Sequence, residues 1–194
     1  MLTVRPLKLD DDLYALTRLI YMTDIYIYPA WFRSFEEAVL LVPNIIKRET
    51  LYNYKNIIVC LVNGKIAGFI CYIDKYPKNN FEEMIKAYQD SKITPSEGFY
   101  DVNEGYFEKM DFDFNGRYLL CCAVLPEYRR KGIASRMLEY FGDMTLQLAA
   151  VKDNYIAIKT YEKNGFKYMY EYLGYTDIPC VEMIKGGKNN ANGK

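Results

Sequence analysis

The sequence predicts one α/β (α+β) domain of about six to seven strands and about four helices, and three observations lead there. A chain of 194 residues that is 51% hydrophobic can bury a single compact core. Ile57 to Val62 and Lys65 to Ile73 are β-branched and aromatic runs separated by Asn63-Gly64, a pair that tolerates the positive φ of a tight hairpin turn. From Tyr118 to Phe166, short apolar strand-like runs alternate with segments of helical period, which is the rhythm of an α/β segment.

The remaining elements follow in order. Thr3 to Arg5 reads as a first strand, and Asp10, Asp11 and Asp12 supply an N-cap and dipole-favourable charge to a helix with the stripe Leu13, Leu16, Leu19 and Ile20. Tyr26 to Phe32 reads as an aromatic loop. A helical pattern from Phe35 to Arg48 contains Pro43, which is expected to end or kink it. Asn80 with Glu83 resembles a capping box, and Phe81, Met84, Ile85 and Tyr88 recur at helical spacing, so a short helix is expected there. Tyr118 to Val124 is a strand, Lys131 to Phe141 a helix ended by Gly142, and Thr145 to Val151 another strand. Asn154 to Asn164 is a helix with Gly165 at the cap position that favours left-handed backbone. Strands at Lys167 to Tyr172 and Cys180 to Ile184 close a domain over residues 1–185, and Gly186 to Lys194, with nothing to bury, reads as a disordered tail.

Composition excludes several classes of function. Lys plus Arg equal Asp plus Glu at 25 each, so no overall field favours nucleic acid or an acidic membrane surface. Neither a cleavable leader nor a span of apolar residues is legible, which predicts a cytoplasmic protein with no membrane association. The chain has no histidine, which removes Ser-His and Cys-His triads and the commonest metal ligand; no metal is expected. Its five cysteines, Cys60, Cys71, Cys121, Cys122 and Cys180, lack C-x-x-C spacing and lie in apolar runs, as reduced buried thiols do.

Residues 76–116 interrupt the rhythm. Between Glu97 and Asp113, six acids (Glu97, Asp101, Glu104, Glu108, Asp111, Asp113) face one base, Lys109, among Phe99, Tyr100, Tyr106, Phe107 and Phe112. Two readings stay open: an irregular connection whose acids are solvated, or an acidic, aromatic-walled pocket for a cationic group.

The chemistry concentrates between Leu119 and Leu138. A strand stops at Pro126, a turn carries Arg129, Arg130, Lys131 and Gly132, and a helix follows with Ile133, Ala134, Met137, Leu138 and Phe141 on one face. First-turn N–H groups of a helix lack internal partners and the dipole is positive there, so three cations beside them read either as a solvated basic turn or as a site for an anion. The NTPase phosphate loop and the three-glycine dinucleotide fingerprint are both absent.

Arg129-x-x-Gly132-x-Ala134 resembles the signature of the GNAT superfamily of acetyl-CoA-dependent N-acetyltransferases: Arg or Gln, two residues, Gly, one residue, then Gly or Ala. Downstream, Asn154-x-x-Ala157-x-x-x-Tyr161-x-Lys163-x-Gly165-Phe166 is similar to the second block of that family. The resemblance implies a mixed, mostly antiparallel twisted sheet, with residues 76–116 as an insertion before the signature strand. It implies acetyl-CoA as co-substrate and an amine acceptor, a small cationic amine or a protein N-terminus, and it leaves a homodimer open. By the same resemblance, the N–H groups of Arg130, Lys131, Gly132, Ile133, Ala134 and Ser135, together with Arg129, wrap the CoA pyrophosphate. Val124 would pair with the pantetheine arm, the N–H near Cys122 would face the thioester carbonyl, and Asn154 and Ala157 would line the cofactor. Tyr161, which on its own reads as a core-edge aromatic, becomes the general acid for the departing thiolate.

The family pattern thins at the general base. Members that use a side-chain base often carry Glu early on the signature strand, where this sequence has Arg117 and Tyr118. Glu104 or Glu108 acting through water, or no dedicated base, are the options the residues leave. A CoA-binding module without turnover and acyl transfer to a non-amine acceptor are the competing functional readings.

Overall fold

The computed structural model describes residues 1–23, 27–106, 114, 116–174 and 177–186. Its sheet is organised around the hairpin of β2 (Ile57–Val62) and β3 (Lys65–Ile73), whose turn residues Asn63 and Gly64 have φ of 50° and 80°. Both positive values belong to the hairpin turn whose twist matches that of the strands. With β1 (Leu2–Pro6), β4 (Arg117–Val124), β5 (Leu146–Val151), β6 (Lys167–Leu173) and β7 (Pro179–Lys185), the hairpin builds one seven-stranded sheet in the order β1-β2-β3-β4-β5-β7-β6. Every neighbouring pair is antiparallel except β4 with β5.

Helices cover both faces. The longer ones are α1 (Leu13–Tyr21), α3 (Phe35–Ile45), α4 (Asn80–Ser91), α6 (Ile133–Glu139) and α7 (Tyr155–Lys163). Single turns, α2 (Tyr28–Trp31) and α5 (Glu97–Tyr100), join them, so the described chain has more helices than the four expected. One apolar core packs α1, α3 and α4 against the sheet through Leu16, Leu19, Leu41, Ile45, Met84 and Tyr88. A second packs Ile133, Met137, Leu138 and Phe141 of the α6 region against Leu119, Leu146 and Leu148. No helix among the described residues is long and apolar enough to cross a membrane.

Several local expectations need correction. Pro43 does not end its helix, which runs on to Ile45; only one internal hydrogen bond is lost this close to the end, and buried Leu41, Val42 and Ile45 hold the last turn in place. The aromatic loop contains α2, whose Tyr28 and Trp31 are buried. The capping box at Asn80 does not form: Asn79 is the cap residue, while buried Asn80 accepts from Leu51 N at 2.9 Å and Glu83 pairs with Arg48 and Lys86. The helix expected over Lys131 to Phe141 begins at Ile133 and ends at Glu139. The tail expectation for Gly186 to Lys194 falls almost wholly outside the described residues.

Two features of β3 and β4 prepare the site. Cys71 pairs with Cys121 and Tyr72 with Leu119, so Leu120 is an extra, bulged residue on β4, a device that bends a strand and re-aims its side chains. Gly68 on β3 lets α6 approach: a Cβ there would lie 2.9 Å from the Ala123 carbonyl oxygen and 3.1 Å from Met137 Cε. Gly68→Ala should therefore lower stability by about 1–3 kcal/mol through overpacking, read as a shifted denaturant midpoint at unchanged slope.

Candidate functional site: the split between β4 and β5

The parallel pair β4 and β5 is joined only at Arg117–Leu146, Tyr118–Gln147 and Leu119–Leu148. Beyond that point β4 stays with β3 as far as Val124 and β5 stays with β7 as far as Val151, so the sheet opens between them. A cavity of about 500 Å³ fills the opening. Leu120, Cys121 and Cys122 form one wall, Ala149, Ala150 and Val151 the other, and Asp153, Asn154, Ala157 and Tyr161 close it from the α7 side. Thr23, Tyr28 and Tyr52 come from the opposite side, with the two tyrosine hydroxyls 2.5 Å apart.

The wall on β4 offers unused backbone groups. Leu125 N donates to Ala67 O at 2.9 Å, and in an antiparallel ladder paired and unpaired positions alternate. Counting back along the register, Cys122 opposite Ile70 and Val124 opposite Gly68 turn their N–H groups away from β3 and toward the opening. The Val124 carbonyl on that edge accepts from Arg129 Nε at 3.1 Å, and its N–H stays open to a strand-like partner.

The basic turn lies just past this edge. Arg130 and Gly132 adopt left-handed backbone, φ 59° and 74°, and Gly132 caps α6 without any side-chain hydrogen bond. The first intrahelical donor is Arg136 N, to Gly132 O at 3.0 Å; among the described residues, no acceptor is paired with the N–H groups of Arg130 to Ser135. These six donors at a positive helix end suit an anion such as a pyrophosphate. The side chains divide the work differently: Ile133 is buried in the core, Ser135 Oγ accepts from Asn164 Nδ2 at 3.0 Å, and Lys131 Nζ reaches Glu127 O at 3.0 Å. The Asn164–Ser135 bond ties the two sequence blocks together.

Asn154 caps α7 by accepting from Ala157 N at 3.2 Å, a structural duty that coexists with its place on the cavity wall. Tyr161 packs edge-on against Phe166 with centroids 5.5 Å apart, and its hydroxyl has no hydrogen-bond partner among the described residues. Burial holds the phenol well above its usual range, with neighbouring Cys122 and Cys121 adding to the effect. It stays protonated at neutral pH, as a proton donor must. Burial also pushes the Cys122 thiol up to about 12, so it is no thiolate nucleophile, and any role for Cys122 is through its backbone. All five cysteines are free.

Of the two readings open for Glu97 to Asp113, the acidic, aromatic pocket does not line this cavity in the part described. Phe99 is core, stacked on Phe81 at 5.9 Å and edge-on to Tyr88 at 4.8 Å, and Glu97 and Asp101 are exposed. The side chains of Glu104 and Glu108 lie outside the described residues. Sequence reasoning missed Tyr28 and Tyr52, which are distant in sequence, and it missed Glu182. That residue is 3% exposed on β7, accepts from Gln147 Nε2 at 2.9 Å and, at a long 3.4 Å, from the Tyr118 hydroxyl. Burial raises its carboxyl from an ordinary 4.5 to about 7 against these two bonds.

A family model described as the acetyltransferase (GNAT) family matches residues 22–166. The chain belongs to the GNAT acetyltransferase family. Acetyl transfer from acetyl-CoA is the activity of that family, and the seven-stranded sheet split after β4 is a GNAT fold. An N-acetyltransferase from Staphylococcus aureus Mu50 superposes with a TM-score of 0.70 at 19% identity, covering 94% of this chain and 99% of that one. The ribosomal-protein-S18-alanine N-acetyltransferase of Escherichia coli gives 0.51 at 20%, covering 97% and 98%. Arabidopsis thaliana Naa50, solved with the bisubstrate analogue CoA-Ac-MVNAL, gives 0.52 at 15%, covering 95% and 98%. No curated protein matches the sequence.

In this GNAT domain Glu182 should leave a pH signature. Its folded value lies above the unfolded one, so between about pH 4.5 and 7 the native state holds a proton that the unfolded chain has released. Stability therefore falls as pH rises through that window, by about 3 kcal/mol, and is level above it. Glu182→Gln should melt several degrees above the wild type at pH 8 and close to it at pH 5.

Proposed function

We propose that this GNAT protein transfers the acetyl group of acetyl-CoA to an amine, a small cationic amine or a protein N-terminus, by direct attack within the β4–β5 opening. The observation that carries the reading is that Cys122, whose N–H turns outward, and Tyr161, whose hydroxyl is unpartnered among the described residues, border one cavity, while the strand that forms its wall runs on into a turn of six unpaired N–H groups. Acetyl-CoA supplies an activated thioester; each residue then has a distinct task. The turn from Arg129 to Ser135 holds the pyrophosphate through backbone donors, and the Val124 N–H guides the pantetheine arm. The Cys122 N–H faces the carbonyl oxygen, where negative charge builds as the amine attacks. Tyr161 gives its proton to the leaving sulfur. Asp153 at the cavity, with the rings of Tyr28 and Tyr52, suits a cationic acceptor. Solved proteins of this fold named for acting on an S18 alanine or holding a peptide-like bisubstrate analogue make short peptides the first acceptors to try.

The test is thiol release from acetyl-CoA across polyamines, amino acids, aminoglycosides and short peptides. Tyr161→Phe should lower kcat by about 10²-fold while leaving acetyl-CoA affinity nearly intact; unchanged turnover removes Tyr161 from the mechanism. Gly132→Ala meets no atom within 4 Å but keeps a φ of +74°, which costs a side chain about 1–2 kcal/mol. It should weaken CoA binding about tenfold by calorimetry, through a turn that relaxes out of its anion-binding shape. CoA binding with no thiol release from any amine would instead identify a sensor.

A further inference from the structure

Glu182 is the one charged side chain among the buried residues described, and its hydrogen-bond partners, Gln147 and Tyr118, are neutral. An apolar residue would serve a sheet position better, so a buried carboxyl held without a cation points to chemistry. Its place in the fold is one strand behind the cavity wall, which neither it nor Tyr118 lines. Glu182 is directly opposite Ala149 on β5, and opposite residues of an antiparallel ladder project on the same face. Ala149 is a wall residue of the cavity, and the glutamate reaches two carbons beyond that methyl. Tyr118 lies two residues before the wall residue Leu120, at the three-pair junction from which the strands part.

Resting on the acetyl-transfer reading above, we propose that Glu182 is the proton acceptor of the reaction, receiving through the Tyr118 hydroxyl the proton that the acceptor ammonium gives up. The ammonium proton passes to the Tyr118 oxygen as the Tyr118 proton moves to Glu182 Oε2, and Glu182 later releases it to solvent. The freed amine forms the C–N bond, the C–S bond breaks, and sulfur takes the Tyr161 proton; the second proton lost by the nitrogen restores that phenol. The sum is an amide, a thiol and one proton in solution. The carboxyl, raised to about 7 by burial, is ionised and able to accept just above neutrality. The titratable groups facing it are Tyr118 from β4, Cys180 on β7 itself and, across the ladder, Tyr170 of β6; Gln147 from β5 is neutral, and no charged group among the described residues contributes to the shift.

The experiment uses the full chain and the amine it acetylates fastest. It compares kcat/KM of wild type and Glu182→Gln from pH 5 to 9, because the ionisation of the amine itself cancels in the ratio. The expected ratio climbs with pH and levels above about 7, at about 10²-fold, with acetyl-CoA KM unchanged. Tyr118→Phe should produce a loss of similar size, and the double variant little more than either single one, as for members of one relay. Glu182→Asp, which keeps an ionisable group, should retain the rising profile, and Tyr118→Phe, which cuts the same relay, gives the rising wild-type-to-variant ratio independently of the Gln variant. A ratio that is flat with pH, or losses that multiply in the double variant, overturns the proposal while leaving the acetyl-transfer reading intact. A folded wild type that binds CoA but releases no thiol with any amine overturns both.

Discussion

The parting of β4 from β5 is the constraint on which the rest of the molecule depends. Each strand is committed elsewhere, β4 to β3 as far as Val124 and β5 to β7 as far as Val151, and the two diverging ladders leave only three pairs between them. The edges so exposed carry backbone donors and acceptors that a closed sheet would satisfy internally. An opening of this kind persists because α6 and α7 pack on the face behind it while α1, α3 and α4 clamp the other face. The bulge at Leu120 adds the extra residue that bends β4 at the point of divergence.

Electrostatics in this chain are local. With charges balanced overall, no whole-protein field draws an anionic ligand, and the local feature suited to one is the turn before α6, where donors are aligned by the backbone itself. Around the cavity the dominant effect is the reverse, burial that keeps groups neutral. Tyr161 and Cys122 are both held in their protonated forms by desolvation, and Glu182 is raised to neutrality by the same cause. A phenol that stays protonated and a carboxyl balanced between its two forms suit the proposed donor and acceptor, set apart by environment with no histidine needed.

The legible part of the site was the part whose residues are close in sequence. Strand, turn and helix from Tyr118 to Glu139 and the helix from Asn154 to Asn164 were readable because a hairpin turn, a helix period and a left-handed glycine act over a few residues. Pro43 lies two residues before the end of its helix, which stops at Ile45 short of the Arg48 that the period allowed, and packing of Leu41, Val42 and Ile45 decides that last turn. Asn80 misled because a polar side chain that matches a capping pattern can be taken by a distant backbone donor, here Leu51 N. Phe99, grouped by composition with a pocket of acids, is stacked in the core instead.

By itself the sequence determined the seven strands, the longer helices, the donor-rich turn at Gly132 and the stripe of Asn154, Ala157 and Tyr161, because each is set by local backbone preference and short-range period. Only the tertiary structure decided which distant residues meet: Tyr28 with Tyr52 across the cavity, and Glu182 with Gln147 and Tyr118. A glutamate in Cys180 to Ile184 reads along the chain as the wet position of an alternating strand. Sheet order places β7 between β5 and β6, so that position is buried beside Ala149, and its chemistry comes from neighbours that periodicity along one strand cannot reveal.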